Sequence, residues 1–215
     1  MNENLFEAQY DVTKKSRFRK FYESNKSLIF SIISIFLIII VILSFYFQKI
    51  EKKKTFLSDN YIEAIVLLDK GNKNKAKDIL KEIIFANNST YSTLSLFLIL
   101  NENLITEERE LSNLFDHLLT NNKFDEEIKN LIIFKKAILQ SDFVNEQELL
   151  KTLNPLLNTK TLWEPHALLL LGDYFFSKSE YIKAKEFYNK ILSLKDLNRE
   201  LYNQARSRLI LITND

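Results

Sequence analysis

Residues 28–47 read LIFSIISIFLIIIVILSFYF, 17 apolar residues and three serines (Ser31, Ser34, Ser44) without a single charge. At roughly 1.5 Å rise per residue such a helix is about 30 Å long, the thickness of a bilayer's hydrocarbon core. It is apolar on every face, whereas a helix of a soluble domain needs only one apolar stripe, so the pattern predicts a transmembrane helix. A cleaved signal peptide would have a shorter apolar stretch ending in small residues. This one ends in Phe45-Tyr46-Phe47, followed by Lys49, Lys52, Lys53 and Lys54, as expected for an interfacial aromatic belt that stays in the protein. From residue 57 onward the pattern changes. Apolar positions recur at spacings of three and four, interrupted by polar clusters, and predict helix pairs at about 57–86, 90–120, 125–157 and 165–195 with a single helix near 199–212.

The pair starts fall roughly 34–40 residues apart, the spacing of a tetratricopeptide (TPR) helix–turn–helix repeat. The most regular unit begins at Pro165 and reads PHALLLLGDYFFSKSEYIKAKEFYNKILSLKD. Its predicted packing residues are Leu168, Leu171, Gly172 and Phe175 on the first helix, then Tyr181, Ala184, Tyr188 and Ile191 on the second. Small Gly172 and Ala184 allow close approach of the two helices, and the larger residues fill the space beside them. YIEAIVLLDKGNKNKAKDILKEII is a weaker copy, with Ala64, Ala76 and Leu80 in the places of Gly172, Ala184 and Tyr188, and with Gly71 at the turn. The two middle units are degenerate in sequence. The last helix, with Leu201, Tyr202, Ala205, Leu209 and Ile212 on one side, suits a cap over the final apolar face. The expected fold class is all-α: one N-terminal transmembrane helix, then a TPR-like α-solenoid.

Composition agrees. Only two Gly and two Pro occur among 215 residues, too few turn formers for a sandwich or barrel. The absence of Cys excludes disulfides, thiol chemistry and Cys-bound zinc. The domain boundaries predicted are a basic tail at 1–27, the span at 28–47, a linker at 48–56 and a TPR-like domain at 57–215. The tail and its junction carry six Lys/Arg (Lys14, Lys15, Arg17, Arg19, Lys20, Lys26) against four on the far side of the span. This bias favours a cytoplasmic tail and an external domain. Beyond the span the 24 basic and 24 acidic residues cancel, which leaves no electrostatic footprint for nucleic acid.

Catalytic chemistry has little to stand on. His117 and His166 fall in different helix pairs without partners at metal-ligand spacing, so no metal and no cofactor is expected. Ser92 and Ser95 lack a nucleophile elbow. The acids Glu107, Glu108 and Glu110, and Asp125, Glu126 and Glu127, fall at expected helix starts, where carboxylates cap free N–H groups and complement the helix dipole. A binding surface is what remains. In a TPR superhelix the inner face is lined by first-helix residues not used in packing, here His166, Leu169, Asp173 and Phe176 of the last unit and Tyr61, Ile65 and Leu68 of the first. That face suits an amphipathic or unfolded segment, unless another helix of the domain covers it.

The tail, the span, the Tyr61–Ile84 unit, the segment Thr90–Leu100 and the run LNPLLNTKTLWEPHALLLLGDYFFSKSEYIKAKEFYNKIL, with Pro155, Trp163 and the Gly172/Ala184 pair, together resemble the YfgM-like family of bacterial inner-membrane proteins, closest in that run to alphaproteobacterial members. The resemblance implies a single-pass inner-membrane protein with a cytoplasmic N-terminus and a periplasmic TPR-like domain. It further implies a non-catalytic accessory of the Sec translocon, working beside a periplasmic chaperone of the PpiD type in protein export. Two other readings use the same architecture: a scaffold for envelope-complex assembly unrelated to Sec, and a docking module facing the cytoplasm.

Overall fold

The computed structural model describes residues 17–158, 161–195 and 197–213. Residues 1–16, with Lys14 and Lys15 of the basic tail, and Thr159 and Lys160 within the resemblance-bearing run lie outside the described residues. Those described form nine helices and no strand: α1 (Arg17–Asp69), α2 (Lys73–Phe85), α3 (Ser89–Asn101), α4 (Glu108–Asn121), α5 (Glu126–Gln140), α6 (Glu146–Leu157), α7 (Glu164–Ser177), α8 (Tyr181–Leu192) and α9 (Arg199–Thr213). The chain divides into two compact units, residues 1–55 and Phe56–Asp215.

The first unit is the greater part of α1. Its helix is interrupted at Asn25 (φ −117°, ψ 19°), where the side-chain amide donates to the Phe21 carbonyl at 3.0 Å and so takes up a backbone acceptor at the kink. Beyond the kink, α1 is the one helix among the described residues long and apolar enough to cross a membrane, with a mean hydropathy of 3.2 in its most apolar stretch. Its large side chains, Phe36, Phe45 and Phe47 among them, are exposed all round.

In the second unit, the last turns of α1 and helices α2–α8 fall into four successive pairs, and α9 follows alone. Two apolar cores lie in series. Leu57, Ala64, Ala76, Leu80, Ile83, Leu96, Ile99 and Phe115 build the first; Leu149, Leu153, Leu171, Phe175, Tyr188, Ile191 and Ala205 build the second. Helix α5 serves both, sending Ile132 into the first and its neighbour Ile133 into the second. Adjacent helical residues point about 100° apart, so one helix can face two cores.

Three of the four turns inside the pairs share one backbone motif. After α1, Asn72 N–H reaches the Leu67 carbonyl and Gly71 N–H the Leu68 carbonyl, both at 2.8 Å. After α3 the equivalent bonds run from Leu104 to Ile99 and from Asn103 to Leu100; after α7, from Glu180 to Phe175 and from Ser179 to Phe176. This is the Schellman arrangement, which needs a left-handed residue beyond the helix. That residue is Gly71 (φ 76°), Asn103 (φ 49°) or Ser179 (φ 60°). The residue after it matches too in the first and last pairs: Asn72 at φ −87°, ψ 62° and Glu180 at φ −87°, ψ 63°. The third pair turns differently, with both Phe143 and Val144 N–H groups on the Gln140 carbonyl.

Most residues expected to pack do so. Ala64, Ala76, Leu80, Leu171, Ala184, Tyr188 and Ile191 are fully buried, and Leu168 and Phe175 nearly so. Gly172 faces the Tyr188 ring so closely that a Cβ there would lie 2.7 Å from Tyr188 Cδ1. Tyr181 departs from the expectation. At the first position of α8 it remains 42% exposed, laying its ring edge on Phe176 at 5.6 Å instead of entering the core.

The expectation for the acidic helix starts also needs correction. Glu108, Glu110, Glu126 and Glu127 occupy first turns, but the N-cap residues Glu107 and Asp125 make no side-chain capping bond. The capping is done by asparagines: Asn88 accepts from Tyr91 N–H and Asn145 from Glu148 N–H, each at 3.0 Å. Two of the acids instead tie helices together. Glu110 pairs with Lys81 of α2 at 2.5 Å, and Glu127 accepts from the Trp163 indole at 3.0 Å.

Candidate functional site

Helix α7 carries most of the candidate face. Its apolar residues are too many for one stripe, so Leu168, Leu171 and Phe175 enter the core while Leu169 and Leu170 are left half-buried on the other side. Helices α5 and α9 flank that side. Between them lies a groove of about 280 Å³ lined by Phe134 and Ile138 of α5, His166, Leu169, Leu170 and Asp173 of α7, and Glu200, Leu201 and Gln204 of α9. It continues along α9 past Asn203, Ser207 and Arg208.

One end of the groove is aromatic. The His166 ring sits 5.8 Å from Phe134 and 5.6 Å from Trp163, and the latter two rings are 5.5 Å apart. His166 Nδ1 lies 3.2 Å from the Leu162 carbonyl. A carbonyl only accepts, so Nδ1 carries the hydrogen in this contact.

At Asp173 the groove is knotted to the core. Its Oδ1 accepts from the Tyr188 hydroxyl at 2.7 Å and from Arg208 Nε at 2.9 Å, linking α7, α8 and α9. Burial, reinforced by that hydrogen bond and the carboxylate's charge, pushes the Tyr188 phenol far above its ordinary pKa of 10. Asp173 is therefore occupied within the chain, and its role is to position α9 as one wall of the groove.

The seven residues predicted to form a binding face do not make one surface. His166, Leu169 and Asp173 share the groove. Phe176 does not line it; it packs against the second core and Tyr181. On α1, Tyr61 and Leu68 lean half-buried on the first core, where the Tyr61 ring lies 6.2 Å from Tyr91 and burial raises its pKa. Ile65 is exposed beside Ile62 and Val66. Phe134, Ile138, Glu200 and Gln204 line the groove without being marked as site residues by the amino-acid pattern. Each belongs to a helix remote in sequence from the middle of α7, and only the folded stacking brings them in. The one local signal is Phe134 and Ile138, an apolar pair four apart on α5 beyond what its core faces use.

Among the described residues, no three His, Asp or Glu side chains gather where they could hold a metal ion. No protein family, curated protein or solved structure matches the chain.

Proposed function

We propose that this chain is a membrane-anchored, non-catalytic adaptor with a TPR-like domain, of the YfgM-like kind, held on the periplasmic face of a bacterial inner membrane beside the Sec translocon and a PpiD-type chaperone. The observation that carries the reading is the origin of the groove's walls. All three, α5, α7 and α9, are first helices of successive pairs or stand in that place, and first helices line the inner, ligand-bearing face of a TPR superhelix. The shared turn after α1, α3 and α7 supports a common repeat unit, including the second pair that periodicity alone leaves degenerate. The groove's mixture of apolar floor and polar rim, with Glu200 and the Asp173–Arg208 ion pair on it, suits a segment of another protein better than a small reactive substrate.

A tether gives such a domain its leverage: confined to a thin layer over the membrane, it meets a membrane partner at high effective concentration. Affinity purification from membranes of the native host in mild detergent, with bound proteins identified by mass spectrometry, tests the assignment. Sec translocon subunits, with or without the chaperone, are the expected catch. Consistent recovery of envelope-assembly or cytoplasmic proteins without Sec subunits would leave the architecture standing and discard the function. Topology is tested separately: a reporter active only in the cytoplasm, fused after Asp215, stays silent on this reading.

A further inference from the structure

The α5–α7–α9 groove lies on one side of α5; a second and larger one lies on another side of the same helix. Helices α4 and α6 stand apart over α5, leaving a groove of about 690 Å³ whose lining includes Arg109, Asn113, Lys136, Gln140, Lys151 and Thr152. Its floor is a built polar feature. Gln140 is only 7% exposed. Its Nε2 donates to Ser112 Oγ of α4 at 3.2 Å, and its Oε1 accepts from Thr152 Oγ1 of α6 at 2.7 Å. A glutamine amide has two N–H donors and two acceptor lone pairs. Each polar atom of this nearly buried amide is thus held by one partner, with one N–H and one lone pair left over at the groove floor for a further bond. Asn113, on the α4 wall, has no side-chain hydrogen bond among the described residues and offers a second amide.

The charges on the walls add a sign. Lys136 is spent on Asp116 at 2.6 Å. Arg109 on α4 and Lys151 on α6 have no ionic partner among the described residues, and Glu148 is the one acid of the lining outside the Lys136 pair. An amide with a spare donor and a spare acceptor matches the alternating C=O and N–H of an extended backbone. Two unpaired cations on facing walls match carboxylates.

We propose that the α4–α6 groove binds an extended polypeptide segment rich in Asp or Glu, with Gln140 and Asn113 on its backbone and Arg109 and Lys151 on its acidic groups. The site stands on these residues alone and does not depend on the export assignment.

The test uses the full chain in phosphatidylcholine nanodiscs, whose zwitterionic surface attracts neither peptide. Two fluorescein-labelled decapeptides, one alternating Glu and Ser and one alternating Lys and Ser, are titrated by fluorescence anisotropy. The acidic peptide is expected to bind saturably and the basic one not. Arg109→Glu with Lys151→Glu, both exposed and so compatible with folding, is expected to weaken binding at least about tenfold. Asn113→Ala is expected to weaken it by about threefold or more without changing the salt dependence. Equal binding of both peptides, binding of neither, or an acidic-peptide affinity unmoved by the double charge reversal would overturn the proposal.

Discussion

At the scale of single residues, one glycine and two serines show how far the surroundings decide what a small residue does. Gly172 has ordinary helical torsions but no room, because the Tyr188 ring fills the space a Cβ would take. Tyr188 is itself fully buried and cannot swing away. Gly172→Ala is expected to cost about 1–3 kcal/mol of unfolding free energy, the usual range for overpacking a tight core, measurable by denaturant titration. Ser92 and Ser95 are both fully buried on α3. The Ser92 hydroxyl donates to carbonyls at the end of α2, at 2.9 Å from Ile83 O, and accepts from Asn88 N–H at 3.1 Å. Ser95 Oγ has no hydrogen-bond partner among the described residues. Ser92→Ala should therefore destabilise by about 1–3 kcal/mol, while Ser95→Ala should be neutral or stabilising by up to about 1 kcal/mol. Sequence alone distinguishes neither serine from the other, since both sit three or four residues from apolar neighbours. The Gly172/Ala184 contact is different: two small residues among large ones, at helix-pair spacing, are legible in the amino-acid pattern itself.

Tyr188 also gives the protein a defined alkaline limit. Its pKa is raised in the folded state by burial first and by its bond to Asp173 second. Below pH 10 both folded and unfolded chains keep the phenolic proton, and the group has no pH effect. Above pH 10 the unfolded chain loses the proton while the folded chain keeps it, so stability falls by about 1.4 kcal/mol per pH unit from this group. Tyr188→Phe is expected to lower stability at pH 8 through the lost hydrogen bond, yet to show a shallower decline between pH 10 and 11. An unchanged slope would assign the alkaline loss to other groups, such as Tyr174, whose pKa is raised chiefly by burial.

Among the elements, the helices are legible in the sequence because their amphipathic spacing is strong and breakers are rare. Most turns are less so, because a Schellman turn is fixed by backbone torsion, and only at Gly71 does the residue advertise it. Asn103 and Ser179 hold the same left-handed place without the residue that favours it most. Ser179→Gly and Asn103→Gly should each stabilise by a few tenths to about 1 kcal/mol. Gly71→Ala should destabilise by about 1 kcal/mol even though, among the described residues, no atom beyond its chain neighbours lies within 4 Å of the added Cβ, because its cost is torsional. Thermal unfolding of the three variants checks the motif: if all three shift in one direction, torsion does not govern these turns. The acidic helix starts mislead for a related reason. Carboxylates complement the dipole throughout a first turn, whereas a capping bond needs one residue in one geometry, which Asn88 and Asn145 supply.

For the molecule as a whole, a helix able to cross a membrane and an all-helical unit with two cores in series follow from two hydrophobic patterns, one uniform and one periodic. The candidate face is legible only in part. His166 and Leu169 stand out in the sequence because they lie on the side of α7 opposite its core residues. Glu200 and Gln204 do not, because no local pattern states which helices will stack against α7. The central claim is that the groove between α5, α7 and α9 holds a partner of the export machinery. Its most direct test places a photo-crosslinking phenylalanine derivative at Leu169, with a second variant at the exposed Ile182 of α8 as control. After irradiation of native membranes, crosslinks to a Sec translocon subunit or its periplasmic chaperone from position 169, absent from 182, are the predicted result. Crosslinks of equal strength from both positions, or none to export components from 169, would contradict it.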